Sequence, residues 1–180
     1  MAALVIDASV ALQANGLDLP AGQECRAALN LVSANKDHRA VFTAALRDEW
    51  LRCACEGKQP YALQWLTAMQ RRGRVQDVSA SAEALPPLAD ALCRSAPADD
   101  VQAMLEDLHL IDAARATDRR VLSRDNEVRR CFAGVCSDAA LALGDIHWCN
   151  PGDPAEEVCT WLHRGAPAEP HRTLAFYRRR

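Results

Sequence analysis

Apolar positions along the chain alternate between short continuous runs, which suit buried strands, and longer stretches at helical spacing. Residues 3 to 7, ALVID, form the first short run and end on a carboxylate. LPAGQECRAALNLVSAN then places apolar residues at helical spacing from Ala21 to Val32, with Pro20 suited to the opening turn. RAVFT at 39–43 predicts a second strand leading into AALRDEWLRCACEG, a helix that Gly57 should stop. PYALQWLTAMQR at 60–71 reads as a helix, and RVQDV at 74–78 as a weaker strand after Gly73.

SASAEALPPLADALCRSAP, interrupted by Pro86 and Pro87, predicts short helices or a mobile connection. From Ala98, ADDVQAMLEDLHLIDAARAT predicts the clearest helix of the chain, capped by Asp99 or Asp100, with Met104, Leu108, Ile111 and Arg115 along one face. RRVLSRD supplies a strand ending near Ser123, NEVRRCFAGVCSDA a short helix, and DIHWCNP at 145–151 a last strand. PAEEVCTWLHRG is a further helix, and APAEPHRTLAFYRRR a Pro-containing basic tail.

This alternation predicts an α/β chain: a three-layer α/β/α sandwich around a central, mainly parallel sheet. In such sheets ligand sites gather beyond the carboxyl ends of the strands, and Asp7 lies at such an end. A length of 180 residues suits one hydrophobic core, with residues 1–150 as the main domain and 151–180 as a helix and basic tail packed on it.

Charge is nearly balanced, 21 Lys plus Arg against 24 Asp plus Glu, which argues against a wholly basic DNA-coating protein but leaves room for a basic patch. All basic residues except Lys36 and Lys58 are arginines, which pair bidentately with phosphate. The eight cysteines form no CxxC pair, and Cys53 and Cys55 would point to different sides of a helix. They read as reduced, small hydrophobic residues in a cytoplasmic protein. The first apolar run meets Asp7 too soon to be a signal peptide or membrane span, so no membrane is expected as a partner.

Candidate chemistry lies in the carboxylates. Asp7 follows ALVI and Asp125 follows RVLSR, each with a hydroxyl two residues away, Ser9 and Ser123. Asp107 lies in the long helix eighteen residues before Asp125, a spacing that lets the chain cross the sheet and return. Glu49 lies in the helix after the second strand. Carboxylate sets of this kind suit Mg²⁺ or Mn²⁺, which favour hard oxygen ligands and can activate water against a phosphodiester. The same residues have plainer readings: Asp7 and Asp125 as helix caps, Asp107 and Glu49 on solvated faces.

LVIDASV and DLHLIDAARATDRRVLSRDN together resemble the two ends of a PIN domain, the metal-dependent ribonuclease family found among prokaryotic toxins and RNA-processing enzymes. Asp7, Ser9, Asp107, Ser123 and Asp125 match that family's pattern in order and spacing, and Glu49 fills the place of its internal acid. Asp112, where the family has a small residue, and Phe132, farther from the last acid than usual, depart from it. The resemblance implies an enzyme, an endoribonuclease in which Asp7, Glu49, Asp107 and Asp125 are catalytic and hold Mg²⁺ or Mn²⁺, leaving a 5'-phosphate and a 3'-hydroxyl. It also implies an antitoxin protein and a homodimer as candidate partners. The alternatives are a nuclease for DNA or structured RNA, and a PIN-like scaffold that has lost catalysis.

Supporting roles fall to Ser9 and Ser123 as orienters of carboxylates, and to Asn126 and Glu127, which are equally natural caps. Arg115, Arg124 and Arg129, within a cluster that also holds Arg119, Arg120 and Arg130, are candidate contacts to an RNA backbone, against a reading as solvated charge. The terminal RRR with Arg172 reads as a flexible binding arm or simply a soluble end. Trp50 and Trp65 are expected in the core, Trp148 or Tyr177 as candidate base contacts, and His109 as a core or face histidine.

Overall fold

In the computed structural model, which describes residues 2–16, 19–55, 61–78 and 85–178, the first apolar run forms strand β1, Ala2–Ile6. All five of its residues are buried, as a central strand covered on both faces requires. The expected helix stop at Gly57, the Pro60 opening, the first part of the 79–97 connection and the last two arginines lie outside the described residues.

Helices α1, Ala8–Ala14, and α2, Pro20–Ala34, lead to β2, His38–Phe42. Helices α3, Ala44–Cys55, and α4, Tyr61–Arg71, lead to β3, Val75–Asp77. The chain then runs through α5, Leu85–Ser95, α6, Ala98–Glu106, and α7, Leu108–Arg115, to β4, Arg120–Leu122. Helix α8, Asn126–Val135, precedes β5, His147–Cys149, and α9, Val158–His163, and α10, Leu174–Tyr177, close the chain.

The strands order β3-β2-β1-β4-β5 and every pairing is parallel, with Val5 opposite both Val41 and Val121. Right-handed crossovers put α1 to α4 on one face. The return from β3 past β1 to β4 puts α5 to α8 on the other, and α9 packs back on α2. The result is a three-layer α/β/α sandwich, and each of the five strand positions expected from the sequence carries a strand. The direction of strand addition reverses at β1 and β4, which opens a crevice at their carboxyl ends.

Two elements differ from the expectation. Helix α1 was not foreshadowed: it is short, and its buried residues, Ala8, Val10, Ala11 and Ala14, are too small to stand out in a hydropathy pattern. The long helix from Ala98 is in fact two helices, broken at Asp107, whose φ of -96° and ψ of 8° lie in the sparsely used bridge region. No Pro or Gly marks the break. Its cause is packing: α7 is buried from Leu108 to Ala114 as it crosses the sheet, whereas α6 buries only Met104, so the two cannot share one straight axis.

Trp50 and Trp65 lie in the core as expected. Trp50 stacks against Phe42 at 5.3 Å and Trp65 at 5.5 Å, and its Nε1 donates to the Ile6 carbonyl at 2.7 Å. That bond pins α3 to the last residue of β1. Among the described residues no helix is long and apolar enough to cross a membrane.

The segment after β5 folds back on the domain rather than extending from it. Thr173 bridges His147 in antiparallel sense, and the Leu174 amide donates to the Ile146 carbonyl at 2.9 Å. Arg172 is buried, donating from Nε to Glu169 at 2.7 Å and from Nη1 to the Glu156 carbonyl at 2.7 Å. The reading of Arg172 as part of a flexible arm is therefore corrected: its charge is neutralised inside the fold. Arg172→Ala leaves the Glu156 carbonyl without this donor while Glu169 keeps Arg164 at 2.6 Å, so it should destabilise the protein by about 1–3 kcal/mol in urea unfolding. A surface arm would cost about 0.5 kcal/mol or less.

Candidate functional site

Asp7 directly follows β1, at the N-cap position of α1, yet its side chain makes no capping hydrogen bond. Its carboxylate is 7% exposed, and both of its hydrogen bonds go to hydroxyls. Ser123, at the end of β4, donates to Oδ2 at 2.7 Å, and Ser9, one turn into α1, donates to the same oxygen. Each hydroxyl also accepts from the loop after β4: Ser9 Oγ from the Arg124 amide at 3.1 Å, and Ser123 Oγ from the Asp125 amide at 3.0 Å. Two serines far apart in sequence thus staple Asp7 to the segment that carries Asp125. The plain reading of Asp7 as a cap is excluded by this geometry.

Asp125 does cap α8, its Oδ1 accepting from the Val128 amide at 2.8 Å. The cap fixes the carboxylate at the head of α8, beside the crevice. Asp107 heads α7 in the same way, again with no side-chain cap bond. Three helices, α1, α7 and α8, therefore begin at aspartates, and their partial positive ends offset the carboxylates that face one another.

The offset is incomplete at Asp107. Burial first, then the charges of Asp7, Asp125, Glu49 and Glu106, raise its pKa from the ordinary 3.8 to about 7. Glu49 reaches the group from α3. His109, buried and two residues past Asp107, donates from Nδ1 to the Glu106 carbonyl at 3.0 Å and faces Glu49 Oε2 with Nε2 at 3.3 Å. A histidine read from the sequence as a core or face residue thus brings its ring beside the acid of α3, with Nε2 making no hydrogen bond. Its spacing from Asp107 alone carried no such signal.

A second residue that sequence reasoning passed over is Asn150, buried just after β5. Its Nδ2 donates to Asn126 Oδ1 at 3.1 Å and lies 3.4 Å from the Arg124 carbonyl, while its Oδ1 accepts from the Gly152 amide at 2.8 Å. It clamps the loop around Asp125 from the β5 side. Asn126 takes part through this bond, whereas Glu127 is exposed and pairs with Arg130 at 3.6 Å.

The candidate arginines separate. Arg124 lies beside the crevice, with Nη1 donating to Gln13 at 2.9 Å. Arg129 is buried, bonded to Glu156 at 2.6 Å and stacked 4.0 Å over Tyr177, so it braces the tail. Arg115 ends α7 at the opposite edge of the sheet, where nearby Asp118 accepts from the Ala3 amide at 2.8 Å. Arg119 and Arg120 lie at that same edge, bonded to Asp145 and to the Ala166 carbonyl. Trp148 is fully buried against Phe132 at 5.8 Å, which removes it as a base contact. The described cysteines carry no disulfide. Cys25 and Cys149 have thiols pushed up to about 12 by burial, in keeping with small hydrophobic residues.

Among the described residues no group of three or more His, Cys, Asp or Glu side chains is arranged to hold a metal ion. The donors that do approach one another are all carboxylates, the class that a small hard cation favours.

Because Asp107 is held above its unfolded value, the folded state binds a proton that the unfolded state has lost between about pH 4 and pH 7. Its ionisation therefore costs stability that is fully lost above pH 7 and not lost below pH 4. Asp107→Asn should stabilise the protein in chelator at pH 8 by on the order of 2–4 kcal/mol, and by much less at pH 4.5. Urea unfolding at the two pH values measures this, and an equal gain at both would rule out charge repulsion as the cause.

No family model matches the chain, and neither a curated protein nor a solved structure matches it at a significant level.

Proposed function

We propose that the protein is a divalent-metal-dependent endoribonuclease of the PIN kind, hydrolysing RNA phosphodiester bonds in the crevice between β1 and β4. The observation that carries this reading is a buried Asp7 fixed by two hydroxyls at the switch point of a parallel sheet, with the charges of Asp7, Asp125 and Glu49 acting on Asp107. A structural staple accounts for Asp7 and a helix cap for Asp125, but neither accounts for the charges of Asp7, Asp125 and Glu49 bearing on a half-buried Asp107. The same order of acids and serines produced the resemblance to PIN domains.

In donor type the acids suit Mg²⁺ or Mn²⁺: hard oxygens, with Asp107 lifted first by burial and then by the neighbouring carboxylates, a repulsion that a cation would relieve. Asp7, Glu49, Asp107 and Asp125 would hold the ion, which when bound supplies polarisation of the phosphate and acidification of water. The chain's own part is positional. Ser9 and Ser123 fix the orientation of Asp7, since both donate to one carboxylate oxygen. Asn150 holds the Asp125 loop, and the His109 ring lies 3.3 Å from Glu49. Helix starts at α1, α7 and α8 turn their positive ends toward the same crevice, where an RNA phosphate would add negative charge. Arg124 remains a candidate contact to that backbone. An antitoxin peptide that covers the acids and a second copy of the chain are candidate partners under this reading.

Cleavage of a labelled mixed-sequence RNA in Mg²⁺, Mn²⁺ or EDTA tests the proposal. Wild-type protein should cut only with the ion. Asp7→Asn should lose at least about 100-fold in rate, and Ser123→Ala about 10–100-fold through misorientation of Asp7. If folded wild type cuts neither RNA nor DNA and takes up no divalent ion in calorimetry, the nuclease reading fails and a partner-binding scaffold replaces it.

A further inference from the structure

At the amino-terminal ends of β2 and β3, the edge opposite the acidic crevice, the chain assembles a second charged surface. Helices α2 and α4 both end there. Helix α4 closes on Gly73, whose φ of +61° permits the left-handed turn. The Gly73 amide donates to the Gln70 carbonyl at 2.9 Å and the Arg74 amide to the Met69 carbonyl at 3.0 Å. This closure presents Arg71, Arg72 and Arg74 almost consecutively beside the turn that carries Lys36.

Arg74 is committed to structure. Its guanidinium reaches the end of α2, donating to the Asn35 carbonyl at 2.6 Å and to the Ser33 carbonyl. Arg72 spends one arm on the Ser33 carbonyl at 3.1 Å and is otherwise exposed. Arg71 and Lys36 are exposed, with no carboxylate partner among the described residues.

Two grooves meet at these residues. One of about 450 Å³ is lined by Ser33, Ala34, Lys36, Arg72 and Arg74. The other, of about 550 Å³, runs up the outer face of α4 along Leu63, Gln64, Thr67, Ala68, Arg71 and Arg72. Arg72 stands in the wall of both, and among the described residues no carboxylate lines either. On a chain of net charge -3 these four cations, against the one exposed carboxylate of Asp37 beside Lys36, are a local excess of three. Burial and the neighbouring charge of Arg72 also depress the pKa of Arg74, a repulsion that a bound anion would relieve.

We propose that this pair of grooves binds the phosphate backbone of single-stranded RNA, as an anchoring surface separate from the acidic crevice. Three of the four cations are arginines, whose planar fork matches phosphate oxygens, and Gln64 offers a further donor along the groove. The choice of RNA as the anion rests on the nuclease reading above. Strand β2 separates the surface from the crevice by roughly 17 Å, five residues at about 3.3 Å each. A strand anchored here would therefore have to pass round the helical face to reach the acids. The surface supplies affinity and leaves the chemistry to the crevice.

The test compares wild type, Asp7→Asn and the triple variant K36Q/R71Q/R72Q, with Arg74 retained because it caps α2. Binding of a labelled mixed-sequence single-stranded RNA is followed by fluorescence anisotropy in EDTA across a salt series, and melting confirms that each variant is folded. The triple variant should bind at least about 10-fold more weakly, with a log–log salt slope reduced by about 2, since each lost phosphate contact removes about 0.7. Asp7→Asn, which only removes a negative charge from the crevice, should bind no more weakly than wild type. An unchanged affinity and slope in the triple variant overturns the anchoring surface, even where wild type cuts RNA. RNA held through these residues by a wild type that never cuts supports the surface while the nuclease reading fails. Competition by polyglutamate as effective as by RNA of equal charge overturns the assignment to phosphate in favour of an acidic protein segment.

Discussion

The crevice depends on two hydroxyls that face both ways. Ser9 and Ser123 each donate to the same oxygen of Asp7 and each accept a backbone amide of the loop after β4. A hydroxyl is the smallest side-chain group able to do both at once, and a buried carboxylate without such donors would be left unpaired. The parallel pairing of β1 with β4 supplies the register, since the Asp7 amide also donates to the Leu122 carbonyl at 2.9 Å. Fixing one carboxylate thereby fixes the loop that carries the next.

Around that staple the fold balances repulsion against order. Three helix starts place partial positive charge where carboxylates gather, and Asp125 spends one oxygen on its own helix. The remaining imbalance collects on Asp107, which is the most perturbed of the carboxylates and sits at a break in the helix. Burial first, and then the charges of its neighbours, oppose the ionisation of a group so placed. Functional sites often hold such perturbed groups, and stability elsewhere offsets the cost.

Part of that stability comes from the layer built after β5. Glu156 receives Arg129 on one oxygen and the Asn150 amide on the other, while Arg172 bonds to the Glu156 carbonyl. Asn150 then reaches the Asp125 loop. The tail is therefore connected to the crevice through one buried asparagine, and the arginines near it in sequence are divided by this packing. Arg129 turns inward to Glu156, Arg115 lies at the far edge, and only Arg124 stays beside the acids. Sequence proximity grouped these residues because helix periodicity by itself does not say which end of the sheet a helix reaches.

Read in order, the apolar runs were enough to place the strands buried on both faces, β1 above all, because such a strand must be continuously apolar, whereas the half-exposed edge strand β3, VQD, gave a weaker signal. The position of an aspartate at the end of such a run also placed Asp7 and Asp125 at the carboxyl edge without any structure. What tertiary packing alone decided is how those groups are held. The break at Asp107 has no Pro or Gly to announce it and arises because α7 must cross the sheet while α6 must not. The approach of His109 to Glu49 and the clamp by Asn150 join elements 60 residues and 24 residues apart, as does the gathering of Lys36 with Arg71, Arg72 and Arg74. Local sequence encodes what each segment prefers to be. Which side chains meet depends on strand order and helix direction, which are set by the whole chain burying one core.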